Sequence, residues 1–192
     1  MAEHAHNPPT TRTNKLNITT LAIWIVMLAV LGLSAYGLVR TNATRPEAGQ
    51  KAPGFTMSFF NGYEWEGQEQ VSLDDWQGNV VVVNFWASWC VECRLEADLL
   101  EQTWRRYQDQ GVIFVGIAYS DVEPNAKAYL SEFNVTYPNA PDLRTAISAD
   151  YEITGVPETF FIDRDGVIQH VQIGPVNAAM MNSIIARLLT QS

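Results

Sequence analysis

Val80-Val81-Val82-Val83-Asn84-Phe85-Trp86-Ala87-Ser88-Trp89-Cys90-Val91-Glu92-Cys93 decides how this chain is read. Val80 to Trp86 is dense in β-branched and aromatic residues and short enough to be a buried strand. After the second cysteine, Arg94 to Gln110 has the spacing of an amphipathic helix. Leu95, Leu99, Leu100, Trp104 and Tyr107 recur along it, and Gly111 supplies a stop. The two cysteines, the only ones in 192 residues, therefore lie where a strand hands over to a helix. Free N–H groups and the positive end of the helix dipole favour an anion at that point. A thiolate is such an anion, and the first thiol of a Cys-x-x-Cys helix start has its pKa lowered from ~8.5 to roughly 3.5–7.5. The same spacing lets Cys93 reach back and close a disulfide on Cys90.

A cysteine pair can be a staple, half of a metal site or a redox couple. A staple over so short a loop restricts the unfolded chain little. A structural zinc site usually takes four Cys/His ligands, and the histidines here are His4, His6 and His170, two of them in the polar N-terminal stretch. Redox chemistry fits the placement best, so the sequence implies neither a metal nor another cofactor.

The length suits one domain behind a leader. Net charge is −9 but unevenly spread: residues 1–45 carry four basic side chains and one acid, residues 46–192 eight and twenty. No basic patch points to nucleic acid. Residues 1–20 read as a disordered polar tail. Residues 21–39 hold no charge and are long enough to cross a bilayer as a helix, a transmembrane anchor. A cleaved signal peptide is the rival, with Ala35-Tyr36-Gly37 as a small-x-small site. Flanking charge does not orient the span, because Arg12 and Lys15 balance Arg40 and Arg45. Residues 40–51 read as a linker and 52–192 as the folded domain.

Within that domain, Phe55–Phe60 and Tyr63–Val71 flank Asn61-Gly62 as a β-hairpin. Leu73–Trp76 reads as a helical turn. Val112–Ala118 is a second buried strand, which completes a βαβ unit. Pro124 opens a helix through Phe133, and Leu143–Tyr151 is a shorter one. Thr159–Ile162 and Val167–Ile173 are strands joined by Asp163-Arg164-Asp165-Gly166. Asn177 caps a last helix through Leu189. Pro157 stands just before a strand, where a missing donor is tolerated.

Val83-Asn84-Phe85-Trp86-Ala87-Ser88-Trp89-Cys90-x-x-Cys93 and Gly155-Val156-Pro157-Glu158-Thr159-Phe160-Phe161-Ile162-Asp163 resemble the membrane-anchored thioredoxin-like proteins of the TlpA/ResA/CcmG (DsbE) group. Ala52-Pro53-Gly54-Phe55 and Gly174-Pro175 match as well, so the likeness covers about residues 48–190. It implies an α/β thioredoxin fold with an N-terminal β-hairpin extension, preceded by one transmembrane helix. It implies a cis-proline at Pro157 facing the cysteines, with the Val156 backbone as a strand-like edge for a partner chain. Trp89 would shield the site, and Glu96 and Glu158 would be supporting acids. Val-Pro-Glu-Thr leans toward the CcmG/DsbE wording. The likeness further implies an extracytoplasmic thiol:disulfide oxidoreductase that reduces apocytochrome c and is recharged by a membrane electron donor.

The chain departs from relatives in two places. Classical thioredoxin has a buried Asp where Asn84 stands, so Glu96 or Glu158 would have to serve as base for Cys93. Glu92 inside the motif opposes thiolate formation, since a nearby like charge raises an acid's pKa. Two alternatives come from other classes. A copper-handling module needs a further soft ligand, for which His170 or a methionine is the candidate. A thiol peroxidase needs a Pro-x-x-x-Thr-x-x-Cys stretch, which is absent.

Overall fold

The computed structural model describes residues 18–40 and 45–190, which fall into two units, residues 1–43 and 44–192. In the first unit the described part is one helix, α1 (Ile18–Arg40). Ile18–Tyr36 has a mean hydropathy of 2.3 and no buried side chain. The helix starts three residues before the expected anchor, because Ile18, Thr19 and Thr20 continue it. The remainder of the expected tail, residues 1–17, lies outside the described residues, as do residues 41–44 of the expected linker.

The second unit is built on a five-stranded sheet in the order β5-β4-β3-β6-β7. Its centre is β3 (Val80–Trp86), whose seven residues are all buried. A strand covered on both faces reads as a continuous apolar run rather than an alternating one. It pairs in parallel with β4 (Val112–Tyr119) and antiparallel with β6 (Glu158–Ile162). The strand β5 (Asn139–Asp142) lies parallel to β4 at one edge, and β7 (Ile168–Ile173) antiparallel to β6 at the other.

Alternate side chains of β3 divide the core in two. Val80, Val82 and Trp86 face α2 (Val91–Tyr107), α3 (Glu123–Glu132) and α5 (Ala178–Thr190). Val81, Val83 and Phe85 face α4 (Ala146–Asp150), a 3-10 turn at Leu73–Trp76, and the small sheet of β1 (Thr56–Ser58) and β2 (Gln70–Ser72). α2 buries Cys93, Ala97, Leu100 and Trp104, a four-three-four spacing that keeps one stripe inward. Leu95, expected on that stripe, is 77% exposed. Gly111, at φ 76°, lets the chain turn left-handed into β4.

Three further features differ from the sequence reading. The strand β5 was not expected, since Asn-Ala-Pro-Asp has little β propensity. An edge position accommodates Pro141, which has no N–H to give. The hairpin is shorter than expected, with three paired positions. Asn61-Gly62 turns inside a longer excursion that docks on β5, where Phe60 N–H donates to the Asn139 carbonyl at 2.9 Å and Asn139 N–H to that of Tyr63 at 3.2 Å. Finally, the domain begins before Ala52. Gly49 N–H donates to the Ile168 carbonyl at 2.7 Å and Ile168 N–H to that of Gln50 at 2.8 Å, which lays the end of the linker along β7.

Gly116 sits under the hydrogen bond from Trp86 Nε1 to Asn139 Oδ1, 2.9 Å long. A Cβ there would stand 1.9 Å from Asn139 Oδ1 and 2.7 Å from Trp86 Nε1. Gly116→Ala is therefore expected to destabilise the protein by about 2–3 kcal/mol through overpacking and a lost buried hydrogen bond. Urea unfolding followed by tryptophan fluorescence measures it.

Candidate active site

Strand register gathers the site at the carboxyl end of β3. Phe85 pairs with Glu158 antiparallel, so Pro157 arrives level with the strand end from which Cys90 emerges. Trp86 pairs with Ala118 in parallel, so the residues just after β4, including Asp121, reach the same end. Gly174 N–H donates to the Pro157 carbonyl at 2.9 Å, which brings in the chain after β7.

Cys90 caps α2, and Cys93 N–H donates to Cys90 Sγ at 3.0 Å. The two sulfurs are joined as a disulfide. Cys90 is 4% exposed and Cys93 fully enclosed, which leaves Cys90 the more accessible sulfur of the pair. The Val156–Pro157 peptide is cis. The Val156 carbonyl oxygen lies 3.4 Å from Cys90 Sγ. Trp89 is 60% exposed and meets Tyr119 edge-on at 6.5 Å, so it serves the surface and not the core. Val91 and Leu95 are also exposed, which gives the rim of the site an apolar character.

Glu96 is one turn past Cys93 on the same face of α2 and is buried. Its Oε2 accepts from Val176 N–H at 2.8 Å and its Oε1 from Asn84 Nδ2 at 3.0 Å. Asn84 Nδ2 also donates to Thr159 Oγ1 at 3.0 Å, and no partner reaches Asn84 Oδ1 among the described residues. Burial raises the Glu96 carboxyl from 4.5 to about 7, and the Val176 and Asn84 hydrogen bonds only partly oppose it. A carboxyl with that pKa can hold or release a proton near neutrality. Glu158 is also fully buried, but its carboxylate is already engaged by Thr154 and Arg45. Glu92 lies exposed on the first turn of α2, where water screens it.

Three further residues support the site without having been singled out from the sequence. Asp121, 3% exposed, accepts from Ser88 N–H at 2.6 Å and Ser88 Oγ at 3.1 Å, which fixes the turn before Cys90. Tyr129 stacks on Trp86 at 4.4 Å and donates its hydroxyl to the Cys93 carbonyl at 2.9 Å. Arg45 pairs with Glu158. Nothing local marks them, because each acts across a long stretch of chain. Among the described residues no three His, Cys, Asp or Glu side chains gather as a metal-holding group.

Residues 48–171 match the model of the AhpC/TSA family. The thiol:disulfide interchange protein DsbE of Allochromatium vinosum is 31% identical over 84% of this chain and 90% of its own length. The thiol-disulfide oxidoreductase ResA of Geobacillus thermodenitrificans is 30% identical, over 79% and 84%. A solved thiol:disulfide interchange protein of the thioredoxin family from Chlorobium tepidum superposes with a TM-score of 0.64 at 28% identity. It covers 76% of this chain and 98% of that one.

The raised Glu96 carboxyl predicts a pH dependence of stability. Between about 4.5 and about 7 the folded oxidised protein holds a proton that the unfolded chain has released. Stability therefore falls as pH rises through that window and levels off above it, by about 3 kcal/mol at most. Glu96→Gln should remove most of the slope. Denaturant unfolding at pH 5 and pH 8 reads the difference, and an equal slope in both proteins would contradict the assignment.

Proposed function

The chain belongs to the AhpC/TSA family and is a thiol-disulfide oxidoreductase of the ResA/DsbE type; on that premise we propose that it reduces protein disulfides outside the cytoplasmic membrane. The observation that carries the reading is Cys90 at the tip of α2, less enclosed than Cys93 and beside the Val156 carbonyl. Apocytochrome c with its haem-binding cysteines oxidised is the proposed substrate, and a membrane electron donor recharges the pair. Residues 21–39 of α1 anchor the protein, with the domain on the periplasmic side. The exposed apolar length of Ile18–Tyr36 supports the anchor.

The Cys90 thiolate, favoured by the helix end, attacks one sulfur of the substrate disulfide. A mixed disulfide forms and the other substrate sulfur leaves as a thiolate. Cys93 then gives its proton to Glu96 and attacks Cys90 Sγ. The Cys90–Cys93 disulfide forms, the second substrate sulfur leaves, and two electrons have passed to the substrate. The backbone around Val156 pairs with the extended substrate chain and aligns its sulfur. Trp89, Val91 and Leu95 cover the flanking apolar residues.

Cys93→Ser should accumulate a mixed disulfide through Cys90, visible on a non-reducing gel and lost on adding dithiothreitol. Cys90→Ser should trap at most a small fraction of that amount. Equal trapping by the two variants would reverse the assigned roles. The direction of electron flow is read separately from the equilibrium potential of the pair. A reductant lies near the ~−270 mV of thioredoxin, and a value near the ~−120 mV of the oxidant DsbA would overturn the reductive reading.

A further inference from the structure

Glu158 is the first residue of β6 and follows Pro157 directly, and it is fully buried. A buried carboxylate must find donors and a counter-charge. Its Oε1 accepts from Thr154 N–H at 2.9 Å and Thr154 Oγ1 at 3.0 Å. The side chain thus folds back and closes Thr154 to Glu158 into a ring around Gly155, Val156 and Pro157. The counter-charge is Arg45. Its Nη2 pairs with Glu158 Oε2, and its Nη1 lies 3.4 Å from Oε1. The guanidinium also lies over the Phe160 ring, 5.9 Å from the centroid. Carboxylate and ring together hold a planar fork that an ammonium would not reproduce. Among the described residues Glu158 makes no other ion pair.

We propose that Arg45 is a positioning residue for the substrate-facing loop, acting through Glu158 to hold the Val156 edge beside Cys90. The inference rests on the function proposed above and deepens it. Arg45 lies at the start of the second unit, just ahead of the residues that pair with β7. Without Arg45 the carboxylate keeps, among the described residues, the Thr154 donors alone, and it must take up a proton or draw in water. Either change frees the loop that carries the Val156 carbonyl. The Cys93 N–H that reaches Cys90 Sγ belongs to α2 and not to this loop. Loss of Arg45 should therefore weaken the docking of a peptide chain and spare the reactivity of the thiol.

The test uses the full chain in detergent, with two probes. One is an oxidised peptide with an internal Cys-x-x-Cys disulfide, which needs the Val156 edge. The other is 2,2′-dipyridyl disulfide, which does not. Arg45→Gln should raise KM for the peptide about tenfold, with kcat and the dipyridyl disulfide rate changed less than about twofold. Arg45→Lys should fall between Arg45→Gln and the wild type. Glu158→Gln added to Arg45→Gln should cost less than the sum of the two single changes, as expected for residues acting as a pair. An unchanged peptide KM in Arg45→Gln, or an equal loss with both probes, would overturn the proposal. A wild-type protein that fails to turn over the peptide would instead sink the function itself, and the inference with it.

Discussion

The hydrogen bond from Cys93 N–H to Cys90 Sγ is the contact on which the proposed chemistry rests. It exists because the first cysteine occupies the cap of a helix, where backbone donors have no carbonyl partner of their own. A sulfur there completes the helix and is in turn favoured as an anion. Structure and reactivity thus have one cause. The β3 strand must be buried on both faces for the cap to be placed so firmly. Its seven enclosed residues provide that, and the parallel and antiparallel neighbours fix its end.

Around that cap stand three buried carboxylates, each with a different fate. Asp121 receives both donors of Ser88 and steadies the turn before Cys90. Glu158 is matched by the Arg45 guanidinium and closes the cis-proline loop. Among the described residues Glu96 has one backbone donor, one amide donor and no cation, and burial raises its pKa. Of the three it is the group suited to exchanging a proton near neutral pH. Asn84 turns its amide toward Glu96 and brings no second carboxyl to the spot. Had an acid stood at both positions, two like charges would have shared one dry site.

What the sequence made legible was whatever local pattern dictates. The run Val80–Trp86, the cysteine spacing and, from the expected stripe, Leu100 and Trp104 are periodic or contiguous, and each corresponds to an element of the fold or its buried face. The strand Asn139–Asp142 was hidden, because its pairing comes from β4 and from the excursion at Phe60–Tyr63, not from its own residues. Leu95 has helical spacing yet faces outward, since spacing gives a face but not what covers it. Pro157 and Glu158 stood out through a resemblance to known proteins. Their partners Val156 with Cys90, and Arg45 with Glu158, depend on contacts spanning much of the chain, which no local pattern carries. Tyr129 likewise reads as an ordinary core residue of a helix, and its hydroxyl bond to Cys93 emerges only when α3 packs on α2.

If the cap governs the chemistry, the pH at which Cys90 becomes a thiolate is the quantity to measure. In the reduced full-length protein, the rate of iodoacetamide alkylation at Cys90 should rise with a midpoint at or below ~7.5, well under the ~8.5 of a free cysteine. Cys93 should remain the slower of the two throughout. A midpoint at or above ~8.5, or faster modification of Cys93, would contradict the account.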